Sequence, residues 1–162
     1  MREVGQKFTG IKSVLVVFSS KAMSFDQGGL RNLITHSYPG AAVFFISTSG
    51  DPVGVAGPEQ VDLVIDFTAP GSRQMPFFAS RMRSRGRHVV GRNAGWFYRA
   101  SRYDRVYDDR KDSSVPSDYL ESEAHAQRAV LGLAGVALVR HGGTTPDRSK
   151  DIGSGVMTGS VR

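Results

Sequence analysis

Short apolar segments separated by polar connections recur along the chain and predict its strands. In residues 13–20 (SVLVVFSS) and 42–48 (AVFFIST), apolar side chains occupy successive rather than alternate positions. Residues 61–67 (VDLVIDF) and 87–91 (RHVVG) show the same pattern in shorter form. Successive apolar positions are typical of strands that are covered on both faces of a parallel sheet. We therefore expect buried strands in these segments, and a fifth strand over residues 103–107.

Helical spacing of apolar residues occurs in the connections between these segments. Leu30, Leu33 and Ile34 recur at i, i+3 and i+4, so that a helix there would have one apolar face. Asp118 precedes the last such segment and Glu121 stands three residues later, which is the arrangement of a capping box. The spacing predicts helices over residues 30–37, 73–85 and 117–133.

The alternation of strands and helices predicts an α/β fold, a Rossmann-like three-layer sandwich with a mainly parallel sheet of about five strands. We expect this single domain to span residues 1–140, followed by a Gly/Ser/Thr-rich C-terminal extension over residues 141–162. Residues 93–102, which are rich in aromatic side chains, are expected to form an irregular connection. Ligands of such sheets bind beyond the carboxyl ends of the strands, so we look for the candidate site there.

Charge and composition exclude several classes of function. The net charge is +6 and the isoelectric point is about 10.0, which favours an anionic ligand. However, the basic residues concentrate in residues 73–105, residues 104–123 are acidic, and no repeat of basic and aromatic residues is present. We therefore do not expect a nucleic-acid partner. The chain has no cysteine, which excludes disulfides, thiolate-bound zinc and thiol nucleophiles.

Neither a membrane span nor a metal or cofactor site is expected. No apolar run approaches the roughly 20 residues of a membrane-spanning helix, and the N-terminus has no secretory pattern. Together with the absence of cysteine, this favours a cytoplasmic location. The first strand is followed by neither GxGxxG nor a Walker loop, so we assign no cofactor. No two histidines have the spacing of a helical metal pair; they are His36, His88, His125 and His141.

The connection after the first strand is the first candidate ligand site. It begins with Ser19, Ser20 and Lys21, and it leads through Asp26 and Gly28 into the first helix. Backbone N–H groups beside the positive end of a helix suit a phosphate or a carboxylate, and Lys21 would add a point charge. We therefore predict ligand contacts at these five residues. The alternative interpretation is a plain connection between a strand and a helix.

The ends of the third and fourth strands supply further candidates at the same edge of the sheet. Thr68 follows the third strand, and Arg92 and Asn93 follow the fourth. An arginine in that place is suited to hold a phosphate or carboxylate through two N–H groups. Asp62 and Asp66 lie in the third strand, and we interpret them first as caps of neighbouring main chain. Ribose binding or action as a base is the alternative for these two carboxylates.

An aromatic cluster and a basic run have mainly structural interpretations. The aromatic side chains of residues 96–98 and Tyr103 are expected to anchor a connection, with a lid or a homodimer surface as alternatives. The arginines of the predicted helix over residues 73–85 are expected to face solvent; they are Arg81, Arg83 and Arg85. A homodimer therefore remains one of the expected partners, beside a small ligand.

Several segments resemble the ADP-heptose:lipopolysaccharide heptosyltransferases of glycosyltransferase family 9. They are SVLVVFSS, LRNLITHSYPGAAVFFIST, VDLVIDF and YDRVYD, within residues 12–110. The resemblance implies the acceptor-side, N-terminal half of a GT-B enzyme, which would bind a small anionic or sugar ligand. That family has a catalytic aspartate just after Ser-Ser-x-Gly, whereas residues 21–23 are Lys-Ala-Met here, so Asp26 becomes the candidate base. The family's second, nucleotide-sugar domain is not in this sequence, which leaves catalysis open.

A shorter segment resembles dihydrodipicolinate reductase. Residues 62–95 (DLVIDFTAPGSRQMPFFASRMRSRGRHVVGRNAG) match that family's strand, helix and following strand. The resemblance implies an NADP-type nucleotide bound near Thr68, although the glycine-rich motif and the paired-histidine stretch of that family are absent. An oxidoreductase-like nucleotide-binding domain is therefore the second hypothesis, and a homodimeric interaction module with an empty cleft is the third.

Overall fold

The computed structural model describes residues 6–19, 26–48, 58–68, 75–93 and 97–138. The strands are β1 (Ser13–Ser19), β2 (Ala42–Thr48), β3 (Val61–Asp66), β4 (Gly86–Arg92) and β5 (Arg105–Tyr107). The helices are α1 (Gln27–Ser37), α2 (Met75–Arg85), α3 (Phe97–Arg102) and α4 (Tyr119–Leu133), with a 3₁₀ turn at Asp109–Lys111. The predicted extension over residues 141–162 lies outside the described residues.

The strands form one all-parallel sheet in the order β2-β1-β3-β4-β5. This order is the flavodoxin-like variant of the doubly wound α/β arrangement. The predicted Rossmann-like sandwich with a five-stranded, mainly parallel sheet is therefore confirmed. β1 lies between β2 and β3, which places the most apolar strand of the sequence in the interior of the sheet.

Both faces of the sheet are covered at β1 and β3, which explains the apolar runs of these two strands. The expectation that residues 42–48 form a buried strand is wrong, because β2 lies at the edge of the sheet and Phe44 is 40% exposed. Val14 and Val16 of β1 pack on the face that carries α1 and α4. Leu15 and Val17 pack on the opposite face, against Phe78 and other side chains of α2. Since successive residues of a strand point to opposite faces, a strand buried on both sides needs an apolar residue at every position.

Aspartate side chains cap the N-terminal ends of α1 and α4. α1 begins before the predicted range because the carboxylate of Asp26 accepts a hydrogen bond from the N–H of Gly29, at 2.9 Å. Asp118 caps α4 as predicted, by accepting from the N–H of Glu121 at 3.0 Å. Gly135, whose φ of 75° suits glycine, follows the C-terminal end of α4.

Two expectations about the region from α2 to α3 are wrong. Residues 97–102 form the helix α3, where an irregular connection was expected. Arg85 is buried, whereas it was expected to face solvent. It is the last residue of α2, and β4 begins at the next residue without a connecting loop. Gly86 permits this close approach, since a Cβ there would lie 2.7 Å from Cγ2 of Val64. Among the described residues, no helix has the length and apolar character to cross a membrane.

Candidate functional site at the carboxyl edge of the sheet

The carboxyl ends of β1 and β3 are the place in this sheet where the topology predicts a ligand crevice. These strands are neighbours, but α1 follows β1 on one face of the sheet and α2 follows β3 on the other. The chain directions therefore diverge at this point, and doubly wound sheets bind their ligands at such a divergence. The pairing continues to the rim of the crevice, where the N–H of Phe67 donates to the carbonyl of Val17 at 2.9 Å.

Most of the predicted ligand residues lie at this edge. Ser19 ends β1 and is half-buried, while Asp26 and Gly28 are exposed at the beginning of α1. Thr68 is buried two residues beyond β3, and Asn93 is buried one residue beyond β4. Ser20 and Lys21 lie outside the described residues, as do the loop after β2 and the tip of the aromatic cluster. The ligand contacts themselves stay predictions.

A buried polar network lies beneath the ends of β3 and β4. The carboxylate of Asp66 accepts from the N–H of Thr68 at 2.8 Å, from its hydroxyl at 2.6 Å, and from the hydroxyl of Tyr103 at 2.6 Å. The contacts with Thr68 confirm the interpretation of Asp66 as a local cap. Its counter-charge is Arg99, whose Nη2 lies 3.2 Å from Oδ2, and both side chains are fully buried.

Arg99 connects the main chain at the ends of two strands. Its Nη1 donates to the carbonyls of Thr68, at 2.5 Å, and of Arg92, at 2.8 Å. Its Nη2 donates to the hydroxyl of Thr68 at 2.8 Å. The guanidinium also lies 5.5 Å from the ring centre of Phe78 and 5.6 Å from that of Tyr103. One side chain thus holds the points where the loops after β3 and β4 begin.

Tyr103 is held as a neutral donor by its surroundings. Burial raises the pKa of its hydroxyl well above the ordinary value, and the negative charge of Asp66 raises it further. The ring packs on Gly91, where a Cβ would lie 2.7 Å from Cε2 of Tyr103. The glycine of β4 therefore makes room for the tyrosine that completes the network.

Arg92 is engaged by carboxylates of this chain. Its Nη1 donates to Glu123 at 2.6 Å and its Nη2 donates to Asp109 at 2.8 Å. Burial by itself would lower the pKa of Arg92, but the hydrogen bonds with Asp109 and Glu123 raise it above the ordinary value. An anionic ligand at Arg92 would have to compete with both carboxylates. Sequence spacing did not indicate these partners because they lie 17 and 31 residues further along the chain.

Asn93 continues the same edge beyond Arg92. Its N–H donates to the carbonyl of Tyr107 at 2.7 Å, which extends the pairing of β4 with β5. Its side-chain amide donates to Asp108 at 3.2 Å, and the amide oxygen has no hydrogen-bond partner among the described residues. Asn93 therefore joins β4 to the beginning of the 3₁₀ turn.

The exposed carboxylate of Asp26 lies at the beginning of α1. The N-terminal end of a helix attracts anions, but here a carboxylate already caps it. A hydroxyl group could donate a hydrogen bond to Asp26, whereas an anion in contact with it would be repelled. At Asp26 itself, a hydroxyl donor is therefore favoured over an anion.

A second cluster, which the sequence did not indicate, lies between the 3₁₀ turn and α4. Nε2 of His125 lies 2.9 Å from Oδ2 of Asp112, which also accepts from the hydroxyl of Tyr107 at 2.9 Å. The hydroxyl of Ser114 donates to Oδ1 of Asp112 at 2.6 Å. This contact joins His125 of α4 to a residue of the preceding loop, 13 residues away in the chain.

Acidification is expected to remove the contribution of Asp112 to stability. The hydrogen bond from the hydroxyl of Ser114 lowers the pKa of Asp112 most, and the contact with His125 lowers it further. Because this folded-state pKa lies below the unfolded value of about 3.9, the stabilisation is full above that pH and is lost as the pH falls further. Asp112→Asn should lower the urea midpoint at pH 5, and the difference from wild type should shrink towards pH 2. An equal difference at every pH would contradict this assignment.

The part of the chain that the structure describes contains no group of three or more histidine and acidic residues that could hold a metal ion.

Comparison of the chain with protein-family models, with curated proteins and with solved structures found no significant match.

Proposed function

We propose that this chain is a ligand-binding α/β domain, similar in role to the acceptor half of a GT-B glycosyltransferase. Its ligand is a small sugar-containing molecule that binds in the crevice between the carboxyl ends of β1 and β3. The observation that carries the proposal is the divergence of α1 and α2 at this crevice, with the buried network around Arg99 directly beside it.

The burial of the ion pair of Arg99 and Asp66 supports a role in ligand binding for the carboxyl edge of the sheet. Taking both charges out of water costs several kcal/mol per ion, and apolar side chains of similar size would often serve stability as well. The pair instead fixes the carbonyls of Thr68 and Arg92, at 2.5 and 2.8 Å. Rigid support of this kind keeps binding groups in place before the ligand arrives, which improves affinity.

The availability of donors and acceptors favours a sugar over an NADP-type nucleotide. The hydroxyl of Thr68 donates its single proton to Asp66, accepts from Arg99 and is buried, so that it has no donor left for a ligand. The exposed carboxylate of Asp26, in contrast, faces the beginning of α1 and suits hydroxyl donors. We therefore place the sugar hydroxyls near Asp26 and the rest of the ligand towards Ser19.

Substitution of Asp26 by asparagine separates sugar recognition from anion recognition. Asparagine is as good an N-cap as aspartate, so thermal stability without ligand should stay close to that of wild type. The affinity for an ADP-sugar or a free hexose should fall about tenfold, because a hydrogen bond to a charged group contributes about 1.5 kcal/mol. Affinity is measured by calorimetric titration, and Asp118→Asn at the cap of α4 is the matched control.

A ligand screen by thermal unfolding tests the proposal itself. The panel is ADP, ADP-glucose, glucose 1-phosphate, NADPH and FMN. A ligand at a hundred times its Kd stabilises the folded state by about 2.7 kcal/mol, so binding raises the unfolding midpoint measurably. We expect the unfolding midpoint to rise with ADP-glucose or glucose 1-phosphate, and the rise to shrink in the Asp26→Asn variant. A rise with NADPH or FMN alone, or a dimer that no ligand stabilises, would contradict the proposal and favour one of the other hypotheses.

A further inference from the structure

A pocket lies at the opposite, amino edge of the sheet. It has a volume of about 420 Å³ and lies between the beginnings of β1, β3 and β4 and the end of α2. Small-molecule sites commonly have volumes of about 300–1,000 Å³, so the pocket is large enough for a small organic ligand. Its polar lining includes Gln60, Asp62, Ser84, Arg85 and Arg87.

The carboxylate of Asp62 in this pocket is already hydrogen-bonded within the protein. Oδ2 of Asp62 accepts from the N–H groups of Lys12 and Ser13, at 2.8 and 3.1 Å, and from the hydroxyl of Ser13 at 3.2 Å. That hydroxyl in turn accepts from the N–H of Asp62 at 3.0 Å. The hydrogen bond from Lys12 is the main reason why the pKa of Asp62 is lowered. Asp62 thus joins the beginnings of β1 and β3, and the positive charge of Arg87 also lowers its pKa.

Positive charge dominates the rest of the lining. Arg85 is only 4% exposed, and burial lowers the pKa of its guanidinium, as does the nearby charge of Arg81. Glu59 acts in the opposite direction on Arg85. Arg87 is exposed at the mouth of the pocket. Arginine guanidinium groups bind phosphate and carboxylate through paired N–H donors, and these bonds are stronger where water is excluded.

We propose that the amino-edge pocket is a second binding site, which takes a small organic molecule bearing a phosphate or a carboxylate group. Arg85 and Arg87 hold the oxyanion from the two sides of Gly86, where α2 passes into β4. The amide of Gln60 supplies neutral hydrogen bonds to the remainder of the molecule, and the hydroxyl of Ser84, which donates to the carbonyl of Arg81 at 2.8 Å, serves as an acceptor. This site is independent of the crevice between β1 and β3, because it lies at the other end of the same strands.

Titration with two probes tests this site on the full chain. Inorganic phosphate and citrate are titrated by calorimetry at constant ionic strength, with sodium chloride as the non-binding salt. We expect saturable binding of at least one probe. Phosphate alone would identify a phosphate site, and citrate alone a carboxylate site. The absence of saturable binding of both would overturn the proposal.

Three variants distinguish the pocket from a diffuse basic surface. Arg87→Gln should weaken binding about tenfold, and Ser84→Phe should abolish it by filling the pocket without changing the charge. Arg110→Gln is the matched control, because it removes the same charge from a side chain outside the pocket that pairs with Asp108 at 3.1 Å; binding should change less than twofold. Equal weakening by Arg87→Gln and Arg110→Gln, or full binding in Ser84→Phe, would overturn the proposal. Asp26→Asn should leave this binding unchanged, which separates the two sites.

Discussion

Replacing Arg99 by methionine is expected to lower the free energy of unfolding by about 3–5 kcal/mol. Methionine has a similar length but removes the counter-charge of Asp66, which is fully buried. It also removes the donors to the carbonyls of Thr68 and Arg92. Urea unfolding at pH 7, followed by circular dichroism, measures the effect as a shift of the midpoint.

Arg83→Met is the matched control for this experiment. Arg83 forms an ion pair with Asp104 at 2.7 Å, but the two side chains are 39% and 35% exposed. Exposed ion pairs contribute about 0–1 kcal/mol, so the control should lose far less stability than Arg99→Met. Equal losses in the two variants would show that the pair of Arg99 and Asp66 is not desolvated, and the account of the carboxyl edge would fail with it.

Replacing Gly91 by alanine is expected to cost about 1–3 kcal/mol, because the site is overpacked. The new Cβ would lie 2.7 Å from Cε2 of Tyr103 and 3.1 Å from the carbonyl oxygen of Asp66. Neither neighbour can move freely, since the hydroxyl of Tyr103 is hydrogen-bonded to Asp66 at 2.6 Å. Thermal or urea unfolding measures the loss.

Gly132→Ala should change stability in the opposite direction. Gly132 lies in α4, and a Cβ there would meet no heavy atom within 4 Å. Alanine in a helix is favoured over glycine by up to about 1 kcal/mol, so this variant should be slightly more stable than wild type. If both alanine variants changed stability in the same direction and by the same amount, the tight packing of Tyr103 on β4 would be refuted.

The strands were predictable because their burial requires a particular residue pattern. A strand with helices on both faces needs apolar residues in succession, and β1 and β3 show this directly. The same pattern misled at β2, which lies at the edge of the sheet and leaves Phe44 40% exposed. The caps of α4 were also local, since Asp118 and Glu121 are three residues apart. Where the determinant lies within a few residues in the chain, the sequence pattern is sufficient.

The polar network was not predictable because its members are far apart in the sequence. Arg99 meets Thr68 across 31 residues, and Tyr103 meets Asp66 across 37. An arginine that will be buried has no pattern that distinguishes it from an exposed one, as Arg85 also shows. α3 was missed for the same reason, since six residues carry too little periodicity and its position depends on the contacts of Arg99.

The central claim is that a ligand binds in the crevice between β1 and β3, and amide chemical-shift mapping tests it most directly. ¹⁵N-labelled protein is titrated with ADP-glucose while the amide resonances are followed. The account predicts that the largest shifts occur at Ser19, Gly28 and Thr68, at the carboxyl edge. Shifts confined to Gln60, Ser84 and Arg87 at the amino edge, or no shifts at saturating ligand, would contradict it.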